Sequence, residues 1–352
     1  MNPSDPNLAA IGRYEVVEEL GRGSMGIVLL ASDPVLRREV AIKYLRPDLR
    51  LKPEDRRLLM RRMRQEAQAI ARVSHPGIVA LHDIGDDSNL GTYLVFARAT
   101  GPTLEEALKR GRLTKEGAAR LAREMGDALD AAHAQSVLHR DIKPSNVILT
   151  EEGAKVADFG VARLPDSTLT RAGARVGTPA YSSPEGIRDG RHVPASDQFS
   201  MAACLYEALS GRRAFPGDDA IEVARRVETE APLPIAGAHH LGPRVDAILL
   251  RAMARKPEDR FSSCKAFALA LSEALLGVRE MVATLPDQHS LVALDRKERS
   301  RFVGFAVLFC LLGATVATTF FRFFAAPAPP KEETRGPALR PAYLSSDPED
   351  AR

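Results

Sequence analysis

The chain has 352 residues, is 45% hydrophobic and 27% charged, and is long enough for a sizeable core. Its formal net charge of +3 is too small to imply a nucleic-acid partner. The three cysteines, Cys204, Cys264 and Cys310, are scattered without paired or metal-like spacing, which excludes a disulfide framework and fits a reducing compartment.

Residues 1–13 are polar, contain proline and lack the apolar stretch of a secretory signal. Two strand-like runs, Tyr14–Leu20 and Ile27–Ala31, then flank Gly21, Gly23 and Gly26, so these glycines sit on a hairpin instead of opening a helix. That placement argues against a dinucleotide fold; a tight turn alone would also use such glycines. Val40-Ala41-Ile42-Lys43 reads as a further strand ending in a lysine. From Pro53 to Val73 the pattern is helical, with Pro53 suited to the first turn and Leu59, Met63 and Ile70 on one face. Glu66 falls on that apolar stripe, where a carboxylate is costly unless paired. The arginines between Arg56 and Arg64 read as a solvated face. Strand character ends near Thr92–Phe96, after which helices dominate. Thr114–Ala134 carries Leu121, Met125 and Leu129 on one face, and Ser196–Ser210 reads as a buried helix closed by Gly211.

Between those two helices lies the most informative segment, His139-Arg140-Asp141-Ile142-Lys143-Pro144-Ser145-Asn146, followed by Asp158-Phe159-Gly160. It orders a carboxylate suited to act as general base, a cation, an amide oxygen and a second carboxylate as phosphoryl transfer to a hydroxyl requires. Eleven specified positions in the right order do not arise by chance. The chain resembles the protein kinases, and in detail the bacterial relatives of eukaryotic Ser/Thr kinases, from about Tyr14 to about Leu276.

The resemblance implies an α+β bilobal fold, a strand-rich lobe followed by a helical one, with ATP and Mg²⁺ as cofactors. It implies that Leu20, Gly21, Gly23, Gly26, Val28, Ala41 and Ile148 surround the nucleotide and that Lys43 holds its phosphates. Glu66 pairs with Lys43 in the active state. Asp141 is the base, Lys143 stabilises the transferring group, and Asn146 and Asp158 bind the metal; His139 packs beneath. Lys143 with Pro144 and Asn146 resembles Ser/Thr kinases more than tyrosine kinases. Thr178, in Gly177–Glu185, belongs to the substrate-docking loop. Glu185 pairs with Arg260, and Asp197 holds the catalytic-loop backbone. Arg140, before Asp141, marks kinases switched by phosphorylation, with Thr170 first and Thr168 next as autophosphorylation sites; Arg140 is otherwise short of an anion. The chain departs from its relatives at Ala172, where many carry a second Thr, and at Ala97 and Thr100, where acidic residues are usual. Phe96 narrows any pocket behind the adenine.

Phe302–Phe321 is a chargeless, mostly apolar run of about 30 Å as a helix, the thickness of a bilayer core. It is expected to be a transmembrane helix, with 277–301 a juxtamembrane linker and 322–352 a short disordered extracytoplasmic tail. Within about twenty residues on either side the basic residues tie, Arg296, Lys297, Arg299 and Arg301 against Arg322, Lys331, Arg335 and Arg340. The need for Mg-ATP breaks the tie in favour of a cytoplasmic kinase domain in a bacterial inner membrane. Expected partners are protein substrates, membrane lipid and a homodimer for autophosphorylation in trans. The competing readings are a catalytically silent pseudokinase scaffold, disfavoured because Lys43, Glu66, Asp141, Asn146 and Asp158 are all present, and a small-molecule kinase, disfavoured by the docking loop.

Overall fold

The computed structural model describes residues 9–23, 25–49, 51–159, 179–237 and 241–277. Phe302–Phe321, the linker and tail around it, and Thr168, Thr170, Ala172 and Thr178 lie outside the described residues. No helix among the described residues is long and apolar enough to cross a membrane.

The first lobe is a six-stranded sheet, β1 (Ala10–Ile11), β2 (Tyr14–Arg22), β3 (Gly26–Asp33), β4 (Arg38–Leu45), β5 (Leu81–Asp87) and β6 (Gly91–Ala97), in the spatial order β1-β2-β3-β4-β6-β5. The glycines do sit on the β2–β3 hairpin, closed by a hydrogen bond from the Gly23 amide to the Gly26 carbonyl at 2.8 Å. Helix α1 (Pro53–Ile70) crosses between β4 and β5 and starts with proline at its first turn, where a missing N–H costs nothing. It ends three residues before the expected Val73 and buries Leu59, Met63, Ala67 and Ile70, the stripe read from the 3–4 spacing.

A short connector leads to α2 (Leu104–Leu108), capped by reciprocal bonds between Thr103 and Glu106. Gly101 in this connector has φ +149°, and a Cβ there would lie 2.1 Å from the Leu149 carbonyl oxygen. Only glycine lets the connector approach β7 (Val147–Thr150) this closely, and the Leu149 amide then donates to the Pro102 carbonyl at 2.8 Å.

The second lobe is helical: α3 (Lys115–Ala134), α4 (Pro184–Asp189), α5 (Pro194–Ser210), α6 (Ala220–Thr229), α7 (Pro243–Ala252) and α8 (Cys264–Leu276), with β7 and β8 (Gly153–Val156) as a separate two-stranded sheet. Thr114 caps α3, accepting from the Gly117 amide, and Gly211, at φ +75°, ends α5 as expected. One core joins Met125 and Leu129 of α3, Phe199 and Leu205 of α5, and Phe267 and Leu271 of α8. Truncating any of these to alanine would cost about 2–5 kcal/mol. Gly126, in mid-α3, explains how α8 packs so tightly: a Cβ there would meet Ala268 Cβ at 2.8 Å and the Cys264 carbonyl at 3.0 Å.

Candidate active site

β8 runs directly into Ala157-Asp158-Phe159, and a 3₁₀ turn at Pro144–Asn146 precedes β7, so one hairpin fixes both ends of the site. The Ala157 amide donates to the Asn146 carbonyl at 2.9 Å, which sets Asn146 and Asp158 beside one another. Asn146 Nδ2 donates to the Asp141 carbonyl at 2.8 Å, leaving its amide oxygen available, and reaches Asp141 Oδ2 at 3.3 Å. Lys143 Nζ donates to Asp141 Oδ2 at 2.8 Å. Asp141 therefore stands between a cation and an amide donor, the setting that keeps a carboxylate oriented. Arg140 and Asp158 both hold left-handed backbone, φ +65° and +60°. Such geometry costs a non-glycine residue roughly 1–3 kcal/mol and persists where the surroundings enforce it.

The enforcement comes from below. Asp197, buried near the start of α5, accepts from the His139 amide at 2.9 Å and the Arg140 amide at 2.8 Å, as the resemblance implied. Its Oδ2 also meets His133 Nε2 at 2.8 Å, an anchor whose only trace in the sequence is a histidine near the end of α3. Burial pushes the Asp197 carboxyl up, but the bonds from His133 and the amides outweigh it and hold it below its ordinary value. His139 is fully buried, which pushes its imidazole down and keeps it neutral. Its Nδ1 accepts from the Asp141 amide at 3.2 Å, its Nε2 meets the Ala157 carbonyl at 2.9 Å, and its ring lies 4.6 Å from that of Phe159. It packs under the site and is not placed to exchange protons with a substrate.

Glu185 and Arg260 form the expected buried pair, two bonds of 2.8 Å, joined by a Ser196 hydroxyl that donates to Glu185 at 2.6 Å. Burial pushes the Glu185 carboxyl up, yet the Arg260 guanidinium and Ser196 bring it down to about 2. Tyr181 donates to Glu207 of α5, a second tie on the segment that leads into α4.

The upper half of the site departs from expectation. Lys43, on β4, pairs with Asp158 Oδ1 at 2.7 Å, and Glu66 pairs with Arg140 at 3.0 Å. The expected Lys43–Glu66 pair is thus replaced, and Arg140 has an anion after all. Of the residues expected around the nucleotide, Val28, Ala41 and Ile148 are half-buried, and Ala41 and Ile148 pack on the cluster containing Leu94 and Phe96. Leu20, Gly21 and Gly23 are exposed, and a Cβ on Gly21 would meet nothing within 4 Å, so there is open space beside Gly21. That opening, Lys43, and the oxygen donors of Asn146 and Asp158 fit a nucleotide with a hard divalent cation. A groove of about 980 Å³ along the connector, lined by Ile78, Ala99, Gly101, Leu149 and Lys155, includes none of these residues.

The protein kinase domain family matches residues 14–270, and the chain belongs to it. A probable serine/threonine-protein kinase of Streptomyces coelicolor is 39% identical over 275 residues, covering 76% of this chain and 40% of that protein. Serine/threonine-protein kinase PknA of Mycobacterium tuberculosis is 36% identical over 275 residues, 76% of this chain and 62% of its own length, and PknB is 38% identical over 260 residues, 71% and 41%. The chain thus spans between 40% and 62% of the length of these curated relatives.

Proposed function

We propose that this chain is an active Ser/Thr protein kinase that transfers the γ-phosphate of Mg-ATP to Ser and Thr hydroxyls of proteins. The observation that carries the reading is the Asp141–Lys143–Asn146 cluster set beside Asp158 and Lys43. Asp141 Oδ2 orients the attacking hydroxyl and accepts its proton, while Lys143, 2.8 Å away, stabilises charge on the transferring group. Asn146 and Asp158 would hold Mg²⁺, and Lys43 the phosphates; the bound nucleotide supplies the phosphoryl group. The kinase names of its relatives support the same class. A silent pseudokinase has no observation in its favour, since all five hallmark residues are present.

The pairing in the upper site supports a resting state switched by autophosphorylation. A phosphate on Thr170, or on Thr168, carries about −2 charge and competes with Glu66 for Arg140. With Arg140 engaged by the phosphate, Glu66 pairs with Lys43, and Asp158 turns to the metal. The chain is further proposed to be anchored by residues 302–321 in a bacterial inner membrane, with 14–276 cytoplasmic, 322–352 beyond the membrane, and homodimers serving autophosphorylation. A reporter active only outside the cytoplasm, fused after Arg352, should be active, and one fused after Asn2 inactive; the reverse would overturn the topology. Phosphopeptide mass spectrometry of cells carrying wild type against Asp141→Asn tests activity and phosphosites together. If Thr168→Ala/Thr170→Ala left activity unchanged, the switch assignment would fail.

A further inference from the structure

Away from the reacting groups, α3 and the start of α8 meet at a cluster with its own unresolved chemistry. Asp130 and His133 lie one turn apart on α3 and face Cys264, the first residue of α8. A carboxylate oxygen, a ring nitrogen and the sulfur lie within 4.8 Å of one another. His133 Nε2 is committed to Asp197 at 2.8 Å and donates there, so a neutral ring leaves a lone pair on Nδ1. Nδ1 faces Asp130 Oδ1 at 3.8 Å, too far for a hydrogen bond, on a side chain only 9% exposed. Two acceptors facing one another at that distance, with Asp130 24% exposed, leave a gap that a cation can bridge.

The other donors are positioned for a cation. The Cys264 and Lys265 amides donate to Asp130 at 3.0 and 3.1 Å, fixing the carboxylate while each oxygen keeps a lone pair. A sulfur, an imidazole and a carboxylate suit a zinc-class ion and not magnesium, which prefers oxygen alone. A ligating histidine also gives its second nitrogen to a carboxylate, the part Asp197 plays here.

We propose that Asp130, His133 and Cys264 form a site for a zinc-class divalent cation, separate from the nucleotide site. The Cys264 Sγ–H bond breaks as the sulfur–metal bond forms, and its proton leaves to solvent. Through His133 and Asp197 the ion would touch the backbone of His139 and Arg140.

Cobalt(II) is the probe. The full chain, stripped with chelator, should develop a thiolate-to-cobalt charge-transfer band that saturates at one equivalent and is displaced by Zn²⁺. The band should persist with excess Mg-ATP and in Cys204→Ser, and vanish in Cys264→Ser. Asp130→Asn should weaken cobalt binding roughly tenfold or more, which gives a second reading should Cys264→Ser fold poorly. No band in the wild type, or a band that survives Cys264→Ser, overturns the proposal. The readout does not depend on phosphotransfer, so it stands apart from the kinase reading.

Discussion

Ion pairs beneath the catalytic loop and those above it differ in the water they see. Beneath, the Arg260 and Glu185 side chains are 0% and 5% exposed. Above, Lys43 and Asp158 are 19% and 37% exposed, and Arg140 and Glu66 are 40% and 29%. A buried pair cannot trade partners, because either charge alone would be left uncompensated in a dry interior. A half-exposed pair contributes about 0–1 kcal/mol and exchanges readily. The lower pair is therefore held in place by its burial, and the upper pairs are the weaker ones.

The largest effect that separates the two regions is catalytic. Asp141→Asn and Lys43→Met should each lower phosphotransfer roughly a thousand-fold or more while leaving the urea midpoint nearly unchanged. Arg260→Ala should behave in the opposite sense and cost about 3–5 kcal/mol of stability, measured by chemical unfolding, because Glu185 is stranded. Acid offers a finer test of the same pair. The folded carboxyl of Glu185 titrates near 2, below its ordinary value of about 4.3, so the unfolded chain binds its proton more readily. Its contribution, on the order of 3 kcal/mol, is complete above about pH 4.3 and fades as pH falls toward 2. The stability gap between wild type and Glu185→Gln should narrow over that window and stay constant above it. Smallest is the stability effect of Glu66→Gln, within about 1 kcal/mol, although kinase activity should fall clearly. A loss of several kcal/mol there would mean the upper pairs are not exchangeable.

The lower network was largely legible in the sequence, because the resemblance to the protein kinases carries over to His139–Asn146, Asp197, Glu185 and Arg260 position by position. The hairpin glycines and the stripe Leu59–Met63–Ile70 followed from periodicity. The partner of Lys43 did not, since Glu66 and Asp158 are both carboxylates and no spacing rule chooses between them. His133, Glu207 and the meeting of Asp130 with Cys264, 134 residues apart, were hidden because tertiary packing alone brings them together. Gly126 is of the same kind: a helix interior disfavours glycine by about 1 kcal/mol, and only the approach of α8 explains it.

The most direct test of the central claim is a paired measurement on the purified full chain: ATP-dependent phosphate incorporation into protein Ser and Thr, beside an unfolding curve, for wild type and Asp141→Asn. The account predicts incorporation in the wild type, its loss in the variant, and superimposable unfolding. A wild type that incorporates no phosphate, or a folded Asp141→Asn that incorporates it at a near-normal rate, would contradict it.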